Sequence, residues 1–161
     1  KGTVEENLKM AKPDATKEEM EAVLQKVNLL GFLQTQDGLQ TKLQEKASNL
    51  SGGQCQRLVI ARALLRTDSA VYIFDEAASN IDVESEELIM NVIHELAKTK
   101  TVLLISHRLA NVVKSDKIYF LKDGEIKESG KHDELMSQNG AYRHLYESQM
   151  ALENYGKGGV A

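Results

Sequence analysis

The composition of this 161-residue chain narrows the classes of protein to which it can belong. Its length suits one domain, or one domain with a subdomain, and allows a sizeable core. A net charge of -4, with 20 basic and 24 acidic residues and only 5% aromatics, provides neither a basic face nor a stacking platform, so we expect no nucleic-acid partner. The single cysteine, Cys55, excludes an internal disulfide framework and a Cys-rich metal cluster, and we interpret it as a packing residue.

The first fifty residues read as helices joined by polar loops. Thr3 with Glu6, and Thr16 with Glu19, have the Ser/Thr-x-x-Glu spacing of a capping box, so two short helices are expected. Apolar residues recur at helical spacing in the second helix, and their stripe is typical of a face packed on the rest of the fold. These residues are Met20, Val23, Leu24, Val27 and Leu30.

Residues 34–49 are polar and lack clear periodicity, so we expect an irregular loop and place a subdomain boundary at its end. The predicted domains are a helical subdomain over 1–49, a core over 50–154 and a flexible tail over 155–161.

From Ser51 onward the pattern alternates between helix and strand. It predicts a helix to about Leu65, a strand over 71–75, a helix over 83–97 and a strand over 101–105. This alternation predicts an α/β fold with a parallel sheet, and the nearly continuous apolar character of both strands predicts that both faces of the sheet are covered.

The last third of the sequence predicts a hairpin and a broken helix. Asp123-Gly124 favours a tight two-residue turn between strands at 118–121 and 125–128. Residues 132–152 read as a terminal helix interrupted at Gly140.

The segment Leu50-Ser51-Gly52-Gly53-Gln54 opens the predicted helix over 51–65. Ser51 and Gln54 form a third capping pair, and the segment offers backbone amides, a hydroxyl and no obstructing side chains at the positive end of a helix dipole. It can therefore cradle a phosphate oxygen. A capped helix start without a ligand is the alternative interpretation.

Two acids and a histidine follow neighbouring strands. Asp75 and Glu76 leave the carboxyl end of the first strand, where open α/β sheets bind ligands; Asp75 can hold Mg²⁺ and Glu76 can orient or deprotonate water. His107 follows the next strand by two residues, so we expect it at the same edge. The alternatives are acids that merely end a strand and a hydrogen-bonded structural histidine.

Four motifs together resemble, in order, the signature, Walker B, D-loop and switch histidine of ABC transporter ATPases. They are Leu50 to Gln54 with Gln56-Arg57, the apolar run into Asp75-Glu76-Ala77, Ser79-Asn80-Ile81-Asp82, and Ile105-Ser106-His107-Arg108. The resemblance extends over residues 1 to about 150 and points to the exporter type. It implies a partial P-loop NTPase (RecA-like) parallel sheet with an N-terminal helical subdomain.

The resemblance also implies a role for each residue. Ser51, Gly52, Gly53 and Gln54 would bind the γ-phosphate of ATP held by the opposing subunit, with Ser79 and Asp82 contributing from the D-loop. Asp75 would support Mg²⁺, Glu76 would polarise the attacking water and His107 would contact the γ-phosphate. Asp82 also reads as a plain helix N-cap, and both roles can hold together.

The sequence departs from the family in two places. It contains no Gly-x-x-x-x-Gly-Lys-Ser/Thr, the Walker A loop that holds the β- and γ-phosphates, so we expect a fragment that is inactive by itself. Before the signature, where the family often has glycines, this chain has Gln44, Glu45, Lys46 and Ala47, which leaves the conformation of that loop open.

The resemblance implies that the complete parent couples ATP hydrolysis to transmembrane transport at the cytoplasmic face of the cell membrane. Its expected partners are a second nucleotide-binding domain, in a head-to-tail homo- or heterodimer, and the transmembrane domain of the same transporter. A non-transport ABC ATPase and a regulatory half that binds ATP without cleaving it are the alternatives. The absence of heptads and cysteine pairs before the signature argues against the first, and an intact Glu76 and His107 argue against the second.

Overall fold

The computed structural model describes residues 2–78 and 81–157. The helices are α1 (Val4–Lys9), α2 (Lys17–Lys26), α3 (Leu30–Gln34), α4 (Gly52–Leu64), α5 (Val83–Ala97), α6 (His132–Gln138) and α7 (Ala141–Lys157). The strands are β1 (Gly2–Thr3), β2 (Lys42–Leu43), β3 (Val71–Asp75), β4 (Thr101–Ile105), β5 (Ile118–Lys122) and β6 (Glu125–Gly130). These elements form two compact units, the first ending at Ile105 and the second beginning at Ser106.

Side chains at the N-terminus cap helices α1 and α2 of the first unit. Complete capping boxes join Thr3 to Glu6 and Thr16 to Glu19, as the sequence predicts. The apolar stripe of α2 is confirmed as a buried face for Met20, Leu24 and Val27, which are fully or almost fully buried. The expectation that Leu30 continues the stripe on the same helix is wrong: α2 ends at Lys26, the left-handed Asn28 interrupts the helical path, and Leu30 begins α3 and is only partly buried. Helices α1, α2, α4 and α5 then contribute to one apolar core, in which Val4, Leu8, Ile89 and Ile93 are essentially inaccessible to solvent.

Strands β3 and β4 form the parallel pair that the alternation of helix and strand predicts. Their register is unbroken, from Val71 opposite Thr101 to Asp75 opposite Ile105. Only one face of the pair is covered: Tyr72 and Phe74 are buried, whereas apolar side chains on the other face remain about half exposed or more. The expectation that both faces are covered is therefore wrong for this chain, because the described residues of the first unit pack on one side of the two strands.

The loop over 34–49 is more ordered than its sequence indicates. It contains two 3-10 turns, Gly38–Gln40 and Glu45–Ala47, and the short strand β2, which pairs with β1 in antiparallel fashion. The amide of Val4 also donates to the carbonyl of Thr41, so the loop is tied to the start of α1. Pairs only two residues long leave no periodic signal in a sequence, which is why the pattern shows only a loop.

The second unit contains the predicted hairpin and the broken helix. Asp123 and Gly124 have φ of 54° and 76°, the two positive values that a tight hairpin turn requires. Helix α6 is followed by its C-cap residue Asn139, whose backbone has a left-handed conformation, and α7 begins after Gly140. The carboxylate of Glu128 on β6 accepts hydrogen bonds from the first amides of α7, and this contact fixes the helix start against the hairpin.

No helix in the described ranges is long and apolar enough to cross a membrane. The predicted domain boundaries remain predictions. Helix α7 continues to Lys157, and residues 158–161 of the predicted tail lie outside the described part of the chain.

Candidate functional site

Ser51 caps α4 through both of its polar groups. Its hydroxyl accepts from the amide of Gln54 at 3.2 Å, and its own amide donates to Oε1 of Gln54 at 2.9 Å. A hydroxyl that accepts one hydrogen bond still has its proton to donate, so the cap is compatible with an anion in front of the helix. Ser51 and Gly52 are exposed, which leaves this end of the helix open to a ligand.

Gly53 faces the protein rather than solvent. It is buried, and a Cβ on this residue would lie 2.9 Å from Cβ of Ser85 and 3.1 Å from Oδ2 of Asp82. Real Cβ atoms essentially never approach a neighbour to less than 3.0 Å. The second glycine of the signature therefore allows the first turn of α4 to lie directly on the start of α5.

Arg57 closes this junction from the next turn of α4. Its guanidinium donates to three acceptors: the carbonyl of Gly53 at 3.3 Å, the carbonyl of Asn28 at 3.1 Å and Oγ of Ser85 at 3.2 Å. Arg57 is identified in the sequence together with the signature motif. No pattern in the sequence, however, predicts that it contacts Ser85. The two are 28 positions apart.

Asp82 is confirmed as the N-cap of α5. Its carboxylate accepts from the amide of Ser85 at 2.8 Å. Hydrogen bonds from the amide and the hydroxyl of Ser85 lower the pKa of Asp82, and the positive charge of Arg57 adds to the effect. Asp82 is thus held as a carboxylate at neutral pH. Its predicted neighbour in the site, Ser79, lies outside the described residues.

Asp75 and Glu76 leave the carboxyl end of β3, as predicted, and both are exposed. The amide of Glu76 donates to the carbonyl of Ile105 at 2.9 Å, which extends the parallel ladder by one bond. Glu76 itself has a φ of 49°, a left-handed conformation that is uncommon and costly for a residue of its type. Such conformations cluster at functional sites, where the surrounding structure holds them.

His107 belongs to the second unit, in the segment that links β4 to the 3-10 turn Leu109–Val112. The side-chain amide of Gln149 on α7 holds the backbone that directly follows the histidine side chain, through two hydrogen bonds. Its Nε2 donates to the carbonyl of His107 at 2.8 Å, and its Oε1 accepts from the amide of Leu109 at 2.9 Å. One helical turn further along α7, Glu153 forms an ion pair with Arg108 at 3.0 Å. Sequence reasoning missed Gln149, since a contact across 42 positions leaves no local pattern.

The donor set is compatible with a magnesium ion that is bound together with a nucleotide. In the described ranges, no three His, Cys, Asp or Glu side chains are grouped to hold a metal. Mg²⁺ bound with a nucleotide takes one or two carboxylates, and phosphate oxygens and water complete its shell. The exposed carboxylate of Asp75 is a ligand of that kind.

Comparison with known proteins agrees with this set of motifs. A family model described as ABC transporter matches residues 1–79. An uncharacterized ABC transporter ATP-binding protein of Haemophilus influenzae is 51% identical over 153 residues, which are 95% of this chain and 27% of the relative. An ATP-dependent lipid A-core flippase of Mannheimia succiniciproducens is 44% identical over 149 residues, 91% of this chain and 25% of the relative.

A solved structure, that of a bacterial Atm1-family ABC exporter with ATP bound, superposes with a TM-score of 0.83 at 30% sequence identity. The match covers 92% of this chain and 26% of the exporter chain. The chain therefore spans about a quarter of the length of the curated relatives it matches. The order of its motifs, its fold and these similarities agree: the chain belongs to the ABC transporter family.

Proposed function

We propose that the complete protein containing this chain is an ABC exporter that hydrolyses ATP to drive transmembrane transport, and that this chain supplies the signature, the Walker B acids and the switch histidine. The observation that carries the proposal is the conformation of Glu76. It directly follows Asp75 at the end of a parallel strand, and its left-handed backbone turns the chain away from the ladder at that point. Strained conformations of this kind cluster at functional sites, and here the strained residue is an acid beside a second acid at a strand end, which favours a role in the site.

Each polar group has a defined task in this proposal. Asp75 supports Mg²⁺, which when bound neutralises charge on the phosphates. Glu76 accepts a proton from the attacking water or orients it. His107 contacts the γ-phosphate, and its position depends on the backbone that Gln149 holds.

The start of α4 serves a different nucleotide from the one served by Asp75 and Glu76. We propose that Ser51, Gly52, Gly53 and Gln54, with Ser79 and Asp82, act on ATP bound to a second nucleotide-binding domain. The exposed Ser51 hydroxyl and the first-turn amides would donate to phosphate oxygens, because amides at a helix start have no acceptor within the helix. Such sites form only when two domains associate head to tail.

The remaining partner is the transmembrane domain of the same transporter, which would place this chain at the cytoplasmic face of the cell membrane. The exporter named in the structural comparison and the lipid flippase named among the relatives support this placement. The chain alone is proposed to be inactive, since most phosphate contacts in P-loop ATPases come from a Walker A loop that its sequence does not contain.

Glu76→Gln in the full-length parent tests the assignment. The amide retains the size of the side chain but cannot take a proton, so we expect turnover to fall by about 10²- to 10⁴-fold while ATP affinity changes by less than about threefold. Steady-state ATPase assays and equilibrium nucleotide binding measure the two quantities.

Glu87→Gln is the matched control, because Glu87 is exposed on α5 and lies outside the site. Its turnover should equal that of the parent. A loss of binding as large as the loss of rate in Glu76→Gln would show that Glu76 holds the nucleotide and does not act on water.

A further inference from the structure

We propose that Arg57 is a positioning residue that locks the signature segment, residues 51–54, to the N-terminus of α5, so that both reach the nucleotide as one rigid piece. The inference rests on the proposed function and adds to it a residue that does not touch ATP. It depends on two independent observations, the contacts of the Arg57 guanidinium and the lack of space at Gly53.

The first observation is that Arg57 joins three separate segments. Its donors reach the carbonyl of Gly53 in the signature, the carbonyl of Asn28 in the turn after α2 and the hydroxyl of Ser85 in the first turn of α5. A guanidinium presents five donors in a rigid planar fork, whereas a lysine ammonium is a point charge on a flexible stem. Only arginine can hold these three acceptors with one planar group.

Ser85 extends the connection to Asp82 through its backbone amide, which donates to the Asp82 carboxylate. Ser85 is almost completely buried, at 3% exposure, and it makes hydrogen bonds with both Arg57 and the Asp82 carboxylate. Hydrogen bonds to ionised groups are stronger than neutral ones, and here a cation and an anion lie at the two ends of the chain of contacts. The link therefore fixes the cap of α5 relative to α4.

The second observation is that the two helix starts touch at Gly53. Any side chain there would press on Ser85 and Asp82, as the distances of 2.9 Å and 3.1 Å from a built Cβ show. The signature therefore cannot move toward α5, and Arg57 opposes movement away from it. Together the two contacts fix the position of residues 51–54 relative to Asp82.

The consequence is functional because both segments are proposed to serve the same nucleotide, the one held by the second domain. If each segment moved independently, closing the dimer on ATP would have to order each of them separately. The lock removes that entropic cost in advance, which favours the closed, ATP-occluded state. It leaves nucleotide binding to the open domain unchanged.

The experiment uses the full-length parent in the Glu76→Gln background, where ATP occlusion accumulates because hydrolysis is slow. Arg57→Lys, Ser85→Ala, their double variant and Gly53→Ala are compared for three quantities. These are the ATP retained after rapid dilution, the affinity for ADP and the amide hydrogen exchange of residues 51–54 and 82–86.

We expect Arg57→Lys and Ser85→Ala each to reduce occlusion about tenfold and to speed exchange in both segments, with ADP affinity within twofold of the parent. The double variant should lose little more than the worse single variant, because both changes break the same contact. Gly53→Ala should behave similarly by forcing the helices apart.

Two controls isolate the effect. Arg62→Lys changes the same residue type on the same helix, and Gly31→Ala adds a Cβ where no described atom lies within 4 Å. Both variants should retain as much ATP as the full-length protein that carries Glu76→Gln alone. Unchanged occlusion in Arg57→Lys, or a loss matched by Arg62→Lys, would overturn the proposal.

Failure of the proposed function would look different. If the full-length protein with Glu76→Gln does not occlude ATP, the proposed function is wrong. The hydrogen-exchange measurement then still tests whether Arg57 holds residues 51–54 against the start of α5. Faster exchange in both segments of Arg57→Lys would support it, and exchange confined to one segment or unchanged would refute it.

Discussion

At the residue scale, backbone conformation separates two positions from the rest of the chain. Five non-glycine residues among those described have positive φ, and three of them are Asn or Asp, which tolerate the left-handed region because their short polar side chains bond locally. Glu76 and Ala47 are the exceptions. Glu76 lies at the proposed catalytic position, whereas Ala47, with a φ of 54°, precedes the signature and has no chemical task.

Ala47 lies in the loop before the signature, where the sequence departs from the family. The family often has glycines there, and the structure retains a left-handed residue in this loop although the chain offers alanine. The conformation is held by hydrogen bonds: the Ala47 amide donates to the carbonyl of Gln44, and the Ala47 carbonyl accepts from Leu50. The sequence identifies the unusual loop, but it does not reveal which residue carries the strain.

Ala47→Gly should therefore stabilise the protein. Removing the Cβ relieves a left-handed alanine, and this gain exceeds the entropy cost of a new glycine, so we expect the free energy of unfolding to rise by about 1 kcal/mol. For a protein of this size the melting temperature would rise by about 2–4 °C. Thermal unfolding followed by circular dichroism measures it.

Ala22→Gly, exposed in the middle of α2, is the control and should lower stability by about 1 kcal/mol, because a helix interior gains nothing from glycine. A lower melting temperature for Ala47→Gly as well would mean that the loop does not strain Ala47.

At the element scale, the limit of sequence reasoning is the distance between partners along the chain. The capping boxes at Thr3, Thr16 and Ser51 are predictable because each joins residues three positions apart. The contacts that hold the site segments in place join distant elements, Arg57 to Ser85 and Gln149 to His107. No periodicity or spacing indicates such pairs.

Gln149→Glu tests the hold that α7 has on the histidine segment. The substitution keeps the acceptor for the Leu109 amide but replaces the Nε2 donor with an oxygen that repels the carbonyl of His107. If His107 contacts the γ-phosphate, its displacement should reduce turnover of the full-length parent by about tenfold, while ATP affinity stays within twofold.

Gln138→Glu, exposed at the end of α6, makes the same chemical change away from the segment and should not alter turnover. Normal turnover in Gln149→Glu would indicate that the side chain of His107 is positioned by contacts other than its backbone.

At the scale of the whole molecule, the parallel sheet shows why a pattern can mislead. The nearly continuous apolar residues of β3 and β4 predict burial on both faces, yet one face is exposed, with Val71, Ile73 and Leu103 at 56%, 65% and 50% of their full accessibility. The fold class and the strand pairing were predictable from the alternation of helix and strand. How much of a sheet a given stretch of chain covers depends on its partners, which its own periodicity does not specify.

The central claim is that Ser51 and Glu76 of one chain serve different nucleotides. Two differently tagged copies of the full-length parent allow a direct test, with Ser51→Arg and Glu76→Gln placed either on the same copy or on opposite copies. Ser51→Arg obstructs the helix start, and Glu76→Gln removes the group that acts on water. Mixed dimers are purified through both tags and assayed for single-turnover ATP cleavage.

In a head-to-tail dimer, placing the substitutions on opposite copies leaves one intact site, which combines Glu76 of one copy with Ser51 of the other. Placing both on one copy damages both sites. We therefore expect cleavage in the first arrangement and none in the second. Cleavage only when both substitutions lie on the same copy would contradict the account, because it would show that each chain builds its own site.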